Sequence, residues 1–421
     1  MTSKLPDSSG DKSHKVIVKG KYLAAIEKYV STLVLGQGFL VKWNPEFEAL
    51  QKVIVGLPGH FLSENNVASI VIEKCLEFRN AHLDRTGTLS DPKNSDLRES
   101  LVGLIKEYLE SLPRKYTLRI GLASFPRWGA AKYEISRSIR IVIDDPLLTG
   151  KNVLAQFIAG HEGIVPPTYI EFSASGYSDW SPDSPAASDC LSLAKQCAFI
   201  LTSYGICKSN FSQNKATATL TDDGTNTLGK IVLPDAMARC FGNLIPNEEK
   251  LLVDDNNGMT IISTPGRPAA TNEEKSMAFG GMLYHATRFF ETQNHPDFES
   301  IAVAIEWHQD SIFADNQTFS YLAACIGLEA LFGSDSHLEN MSKRLADRYA
   351  FLLGKSRKER EKMIAEYTSV LNLRGRLVHS KAARLSGENV SLLYTAQRML
   401  INSIWHELYA MYKAKDEQRH A

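Results

Sequence analysis

Arg374 and His379 are the two residues whose types and spacing are best suited to chemistry at a phosphate group. They lie in the segment 371–379, LNLRGRLVH. A guanidinium stays charged and can bind a phosphate in a fork, and an imidazole titrates at about pH 6.5, so it can accept or donate a proton. The pair therefore combines an anion-binding group with a general acid or base.

The spacing alone identifies no site, because it also arises by chance. With 20 Arg and 11 His in 421 residues, a spacing of four to six intervening residues is expected about 1.5 times. A second instance is present at Arg288 and His295. The pair therefore needs support from the elements around it.

A third chemically active group, Glu329, lies on an apolar helix face. The segment 317–332 is a predicted helix whose apolar stripe contains Leu322, Cys325, Ile326 and Phe332. Glu329 follows Cys325 by four residues and Ile326 by three, so it shares that face. An unpaired buried carboxylate is costly, which predicts that Glu329 is salt-bridged, protonated or at the wall of a polar cleft. A structural ion pair and an active-site acid both fit this pattern.

The later helix, near 358–378, offers a partner for Glu329. Its apolar residues share one face: Val370, Leu373 and Leu377. Arg374 lies beside that face, and Arg376 points away from it. We therefore predict that Glu329 is largely buried and ion-paired with Arg374 or, failing that, with Arg348 or Arg344.

Arg374 and His379 are not neighbours on an ideal helix. Five residues at about 100° each place them about 140° apart. They share a site if the helix ends near His379, or if two copies of the chain build the site together. One His per chain is also one short for a concerted acid and base. This favours a two-fold dimer with two His379 and two Arg374 across one cleft.

Helices that would carry these residues fill the last third of the chain. After the segment 265–268, PGRP, a helical period is present in six segments: 272–291, 296–314, 317–332, 338–353, 358–378 and 390–413. Before that point strands alternate with helices, among them 132–143 as one strand and 251–253 with 259–263 as a hairpin. The predicted fold class is α+β, a mixed α/β N-terminal region followed by an all-α helical bundle.

The domain prediction follows from these changes in pattern. Residues 1–14 form a polar tail that cannot bury enough surface to order itself. Residues 15–269 form the α+β region, with a subdivision expected near 150. Residues 270–421 form the helical bundle.

Composition argues against several classes of protein. Hydrophobic residues make up 43% and charged residues 23%, which disfavours disorder and collagen, and the apolar runs predict neither a signal peptide nor a membrane span. Lys plus Arg (47) nearly cancel Asp plus Glu (48), so any nucleic-acid site must be local. The six cysteines include no CxxC pair, which favours reduced thiols and a cytoplasmic location.

Three segments in a fixed order carry a family resemblance. GLEALFG (327–333), LADRYAFLLG (345–354) and LRGRLVHSK (373–381) resemble the Apea-like branch of the HEPN superfamily, and the resemblance covers residues 273–413. Members of that family are helical bundles, and the catalytic ones are metal-independent ribonucleases with an arginine and a histidine four to six residues apart. Gly375 and Ser380 depart from the residues that often follow the two motif positions.

The resemblance implies roles for individual residues. Arg374 and His379 match the catalytic motif pair, and Glu329 matches the acidic position of the earlier helix. The substrate-binding candidates are basic residues of the matched segments: Arg348, Arg376 and Lys381. No metal and no other cofactor is expected.

The expected function is that of a cytoplasmic endoribonuclease that cleaves RNA, with tRNA and mRNA as candidate targets, by 2′-hydroxyl attack at a composite homodimer site. By the resemblance it acts in antiphage or stress-response defence (abortive infection), with a phage or cellular trigger at the N-terminal region. Two alternatives stay open. One is a non-catalytic HEPN domain for dimerisation and for binding a nucleotide or a partner. The other is an enzyme in the N-terminal region that the bundle only dimerises.

The remaining polar and aromatic groups have weaker patterns. Three acidic or histidine-containing groups are expected to be structural or in loops: His161-Glu162-Gly163, Asp144-Asp145 and Asp254-Asp255. The segment 355–362, KSRKEREK, is predicted to be a solvated helix start, with contact to RNA phosphates as the alternative. Three aromatic residues in predicted loops either contact a partner or form a satellite cluster: Trp128, Trp180 and Tyr177.

Overall fold

The computed structural model describes most of the chain. The described residues are 16–36, 41–57, 62–121, 132–142, 169–179, 181, 183–203, 217–222, 226–233, 241, 251–255, 258–262, 283–284, 286–293, 295–333, 341–379 and 384–420. The chain divides into two compact units, one of Met1–Thr117, Ser173–Asp189 and Leu220–Gly229, the other of Leu118–Phe172, Cys190–Thr219 and Lys230–Ala421. The predicted tail, 1–14, lies outside the described residues, and the predicted domain boundaries stay predictions.

The described elements confirm the α+β class. The helices are α1 (Lys21–Val30), α2 (Pro45–Val55), α3 (Glu64–Ala81), α4 (Ser95–Glu110), α5 (Pro185–Ser203), α6 (Phe298–Phe313), α7 (Gln317–Phe332), α8 (Met341–Leu353), α9 (Arg357–Val378) and α10 (Val390–His420). The strands are β1 (Val34–Leu35), β2 (Gly87–Thr88), β3 (Arg114–Gly121), β4 (Lys132–Ser136), β5 (Ile139–Val142), β6 (Tyr169–Gly176), β7 (Thr217–Asp222), β8 (Asn226–Val232), β9 (Leu251–Asp255) and β10 (Gly258–Ile262).

Six of these strands form one sheet in the order β4-β5-β6-β3-β7-β8. The single strand predicted for 132–143 is wrong, because Ser136 pairs with Ile139 and the two strands β4 and β5 form an antiparallel hairpin. Arg137 and Ser138 make the turn, and a two-residue turn leaves the alternation of apolar and polar residues undisturbed. The hairpin predicted at β9 and β10 is confirmed, with Gly258 opposite Asp255.

The first unit has its own apolar core between helices α1 to α4. Tyr29 and Phe47 meet there with their ring centroids 5.1 Å apart. Tyr177 belongs to the same core and is only 1% exposed. The suggestion that Tyr177 contacts a partner is therefore wrong, since a side chain buried among apolar residues presents no surface. Trp128 and Trp180 lie outside the described residues.

The ends of α7 are set by short-range hydrogen bonds, and they agree with the prediction of 317–332. Asn316 caps the first turn, because its side chain accepts from the amides of Thr318 and Phe319 at 2.9 and 3.1 Å. Gly333 closes the last turn by donating its amide to the Glu329 carbonyl at 2.7 Å. A Cβ at Gly333 would lie 2.4 Å from that carbonyl oxygen, so only glycine fits without a shift. Glu329 is thereby placed in the final turn of α7.

A small polar network joins three helices of the second unit. Ser311 on α6 donates to the Ser320 carbonyl on α7 at 2.7 Å. Gln397 on α10 donates to the Ser311 hydroxyl at 3.0 Å. All three side chains are satisfied, so the network fixes how these helices are aligned at little cost.

His308 on α6 is a buried titratable group. Its ring lies 5.4 Å from that of Phe199 in an edge-to-face contact, and the residue is 2% exposed. In the described part of the chain neither ring nitrogen has a hydrogen-bond partner. Burial lowers the pKa of His308 to about 4, because the charged imidazole loses its water there.

We expect His308→Leu to remove part of the acid sensitivity of folding. Between pH 6.5 and about 4 the unfolded chain binds a proton at this position and the folded chain does not, so stability falls as the pH falls. For one such group the loss is about 2 kcal/mol between pH 7 and pH 5. Urea unfolding of both proteins at the two pH values measures it. If His308→Leu has the wild-type pH dependence of stability, His308 is not the buried neutral group described here. The control is His406→Leu, at an exposed histidine on α10.

The cysteines and the hydropathy of the helices can also be compared with the sequence predictions. The cysteines in the described residues, Cys75, Cys190, Cys197 and Cys325, are buried free thiols, as predicted, and Cys207 and Cys240 lie outside those residues. Among the described helices there is none whose length and hydropathy suit a membrane span.

Candidate active site

An ion pair between Glu329 and Arg374 lies at the centre of the candidate site. Arg374 Nη2 lies 3.1 Å from Glu329 Oε2, which confirms the pairing predicted from helix phase. Burial is less complete than predicted, since the Glu329 side chain is 25% exposed and that of Arg374 32%. Both groups are thus fixed by each other and still reach solvent.

Two helical stripes bring this pair together. Tyr321, Cys325 and Glu329 follow each other at four-residue intervals on α7, and Val370 and Arg374 do so on α9. The Tyr321 hydroxyl donates to the Val370 carbonyl at 2.6 Å. Val370 is one turn before Arg374, so this bond fixes α9 against α7 just below the ion pair.

Burial also sets the electrostatics of the ion pair. Partial burial raises the pKa of Glu329 above its ordinary value, and the Arg374 guanidinium opposes that shift without cancelling it. The carboxylate therefore carries a desolvation cost that the arginine partly offsets. Arg374 has five N–H donors, and its hydrogen bond to Glu329 within the described residues is made by Nη2. The guanidinium can accordingly hold Glu329 and bind a second anion at once.

His379 lies at the end of the helix that carries Arg374. Helix α9 ends at Val378, and the His379 amide closes its last turn by donating to the Gly375 carbonyl at 3.0 Å. The condition that the helix ends near His379 is therefore met. His379 is exposed. No hydrogen bond or ion pair joins its side chain to Arg374 or Glu329 in the described part of the chain.

The substrate-binding candidates have different environments. Arg348 on α8 donates through Nη1 to the Phe332 carbonyl at the end of α7, three residues beyond Glu329. Arg376 is exposed, in agreement with the predicted helix phase. Lys381 lies outside the described residues. Beside Arg374, a Cβ on Gly375 would meet no atom of the described residues within 4 Å, so their packing does not require glycine at this position.

Sequence reasoning missed an aromatic cluster behind the ion pair. Tyr367 lies between Tyr349 and Phe332, with ring centroids 5.3 and 6.4 Å away. The Tyr367 hydroxyl is buried and has no hydrogen-bond partner among the described residues. Tyr321 was recognisable from its four-residue spacing to Cys325 and Glu329, and Tyr367 from its seven-residue spacing to Arg374. The ring contacts of Tyr367 were not recognisable, because Tyr349 and Phe332 lie on other helices.

We expect Tyr321→Phe and Tyr367→Phe to have opposite consequences for stability. Losing the Tyr321 hydroxyl removes a bond to the Val370 carbonyl and should lower the unfolding free energy by about 1 kcal/mol. Losing the Tyr367 hydroxyl removes an unpaired buried group and should be neutral or stabilising. Urea unfolding of the wild type and of both variants measures the two changes in unfolding free energy. Equal losses would show that the Tyr321 bond does not hold α7 to α9.

Among the described residues, no group of three or more His, Cys, Asp or Glu is arranged to hold a metal ion. Asp254 and Asp255 lie at the end of β9, and the groups at 144–145 and 161–163 lie outside the described residues. Comparison with known proteins adds nothing to the geometry, since no family model, curated protein or solved structure matches this chain.

Proposed function

We propose that this protein is a metal-independent endoribonuclease of the HEPN type, with its site at Glu329, Arg374 and His379. The observation that carries the proposal is the Glu329–Arg374 ion pair in the last turns of α7 and α9, with His379 at the end of α9. The ion pair holds the Arg374 guanidinium with part of it still exposed, about one and a half helical turns before the exposed His379. Two of the three segments that resemble the Apea-like branch, 327–333 and 373–381, contain these residues.

Each group has a role in the proposed reaction. The 2′-hydroxyl oxygen of the RNA attacks the adjacent phosphorus, and the bond from phosphorus to the 5′-oxygen breaks. One imidazole takes the 2′-hydroxyl proton and another protonates the leaving 5′-oxygen. Arg374 stabilises the charge that develops on the phosphorane oxygens.

The two imidazoles come from two chains. Each chain supplies one His379, and in the described residues this side chain makes no hydrogen bond or ion pair with Arg374 or Glu329 of its own chain. A two-fold dimer that brings two copies of the α9 end together provides both imidazoles. Glu329 then acts by holding Arg374 in place, since its carboxylate is ion-paired with that guanidinium.

The cellular role that accompanies this proposal follows from the resemblance. The protein would act in the cytoplasm as an antiphage or stress-triggered RNA-cleaving factor, and its N-terminal region would respond to the trigger. A tRNA or an mRNA would be the target. Degradation of such RNAs stops growth, which is the output of abortive infection.

The ends of the RNA products test the proposed chemistry. Total RNA incubated with the protein in EDTA should be cleaved at the same rate as without EDTA. The products should carry a 2′,3′-cyclic phosphate and a 5′-hydroxyl, because an internal hydroxyl is the nucleophile. Loss of activity in EDTA, or a 5′-phosphate on the products, would contradict the proposal.

A non-catalytic role for the bundle is favoured by one observation. Within one chain His379 and Arg374 are joined by no hydrogen bond or ion pair in the described residues, as is expected of a dimerisation module that does not need them to act together. Absence of cleavage by a protein that still forms dimers would support this alternative.

A further inference from the structure

One stretch of the bundle differs sharply in charge from the rest of the chain. Residues 343–362 contain eight Lys or Arg and three Asp or Glu, whereas the whole chain has a net charge of −1. The positive charge is therefore concentrated locally, as a nucleic-acid site in a neutral protein requires.

The structure places this stretch on the hairpin formed by α8 and α9. Ser356 caps α9 by accepting from the Glu359 amide at 3.2 Å, and the Lys355 amide donates to the Glu359 carboxylate at 2.9 Å. Glu359 is thus engaged in closing the turn. The basic residues of the hairpin that are exposed are Lys343, Arg344, Arg348, Lys355, Arg357, Lys358 and Lys362.

An exposed phenylalanine lies among these charges. Phe351, in the last turn of α8, is 66% exposed. The Arg360 guanidinium lies over its ring, 4.7 Å from the centroid, and Arg360 Nε donates to the Gly354 carbonyl at 3.0 Å. The arginine therefore holds the ring in place while most of the side chain stays in solvent. A fixed aromatic ring surrounded by positive charge is the arrangement on which unpaired bases stack.

The basic surface is continuous with the candidate active site. Arg348 precedes Phe351 by three residues and so lies on the same face of α8. The Arg348 guanidinium is bonded to the Phe332 carbonyl, three residues beyond Glu329. Along α9, Arg374 lies about 25 Å from Arg357, at about 1.5 Å per residue. Several nucleotides of an extended strand would cover this distance.

We propose that the tip of the α8–α9 hairpin, with Phe351 and Arg360, binds single-stranded RNA by base stacking and directs the strand along Arg348 toward Glu329 and Arg374. The proposal rests on the proposed function, because it treats the bound RNA as the substrate. The lysines around the ring contact phosphates without regard to sequence.

Binding measurements on the full-length protein test this. The probe is a short, fluorescent, single-stranded 2′-O-methyl oligoribonucleotide, which cannot be cleaved by 2′-hydroxyl attack, and the same sequence as a duplex. Phe351→Ala should weaken binding of the single strand about tenfold and leave duplex binding within about twofold, because only unpaired bases stack. Combined Lys355→Ala and Lys358→Ala should make binding less salt-dependent, by about 0.7 in the log–log slope for each lost phosphate contact.

Two matched controls come from the same bundle. Phe319→Ala removes another exposed phenylalanine, on α7, and Lys413→Ala removes an exposed lysine on α10. Neither should change binding. If Phe351→Ala behaves like Phe319→Ala, or weakens single strand and duplex equally, the stacking proposal is overturned. Vesicles of phosphatidylserine that bind through Phe351 when RNA does not would overturn it in favour of a membrane surface.

The test of RNA binding by the hairpin and the test of RNA cleavage can fail independently of each other. Binding that depends on Phe351, without cleavage of ordinary RNA, would contradict the proposed function and support RNA binding by the hairpin. Cleavage at the wild-type rate by Phe351→Ala, with unchanged affinity, would support the proposed function and overturn the role of the hairpin.

Discussion

Replacing Arg374 or His379 by alanine is expected to lower the rate of RNA cleavage by about 100-fold or more, which is the usual loss for one acid–base or oxyanion-stabilising group. His379 is exposed at a helix end, so its removal should leave the fold intact. Arg374→Ala leaves Glu329 without its partner and should lose some stability as well. Arg374→Lys keeps the charge but not the fork, and should separate the two effects. Cleavage rates measured on one RNA, together with thermal unfolding of the same variants, distinguish lost catalysis from lost stability.

Control substitutions separate the motif from its spacing. Arg288 and His295 repeat the pattern by chance, and alanine there should change the rate little. His295→Ala is the cleaner of the two, because the Arg288 guanidinium also donates to the Tyr412 carbonyl at 3.2 Å and supports packing. Lys415→Ala matches Arg374→Ala more closely, since Lys415 on α10 is also partly exposed and paired with a glutamate, Glu291, at 3.2 Å. Larger losses at these positions than at Arg374 and His379 would refute the assigned mechanism.

An excess of inactive chains should suppress the wild-type chains if two copies build each site. When wild type is mixed with a tenfold excess of His379→Ala and allowed to exchange subunits, about one wild-type chain in eleven finds a wild-type partner. The activity per wild-type chain should therefore fall about tenfold. The physical reason is that one imidazole cannot both accept the 2′-hydroxyl proton and supply a proton to the 5′-oxygen in one concerted step.

The mixing experiment needs RNA in large excess over total protein, so that the inactive chains do not act by sequestering substrate. Native mass spectrometry of the same mixtures reports the exchange. Unchanged activity per wild-type chain in fully exchanged dimers would show that each chain acts alone. Cleavage of RNA by a protein that stays monomeric would also show that each chain acts alone.

Helices were predictable where their signals are local. The period of 3.6 and the flanking residues Asn316 and Gly333 were sufficient for the bounds of α7, because a helix is closed by hydrogen bonds to its own neighbours. Helix α2 was missed although Asn44 and Pro45 carry a helix-start signal, with the Asn44 side chain accepting from the Phe47 amide. The hairpin at β4 and β5 was missed because its turn preserves the alternation on which a strand is recognised.

The sequence by itself determined the residue types and the helical phase, and with them Arg374 as the first of three candidate partners for Glu329. Phase carries that information because each side chain's direction on a helix is fixed by its position. Only the tertiary structure decided that the pair stays partly exposed, that Tyr321 bonds the Val370 carbonyl beneath it, and that Phe351 is held by Arg360 in solvent. These contacts join residues far apart in the chain or on different helices, and they depend on how the helices pack, which no local pattern specifies.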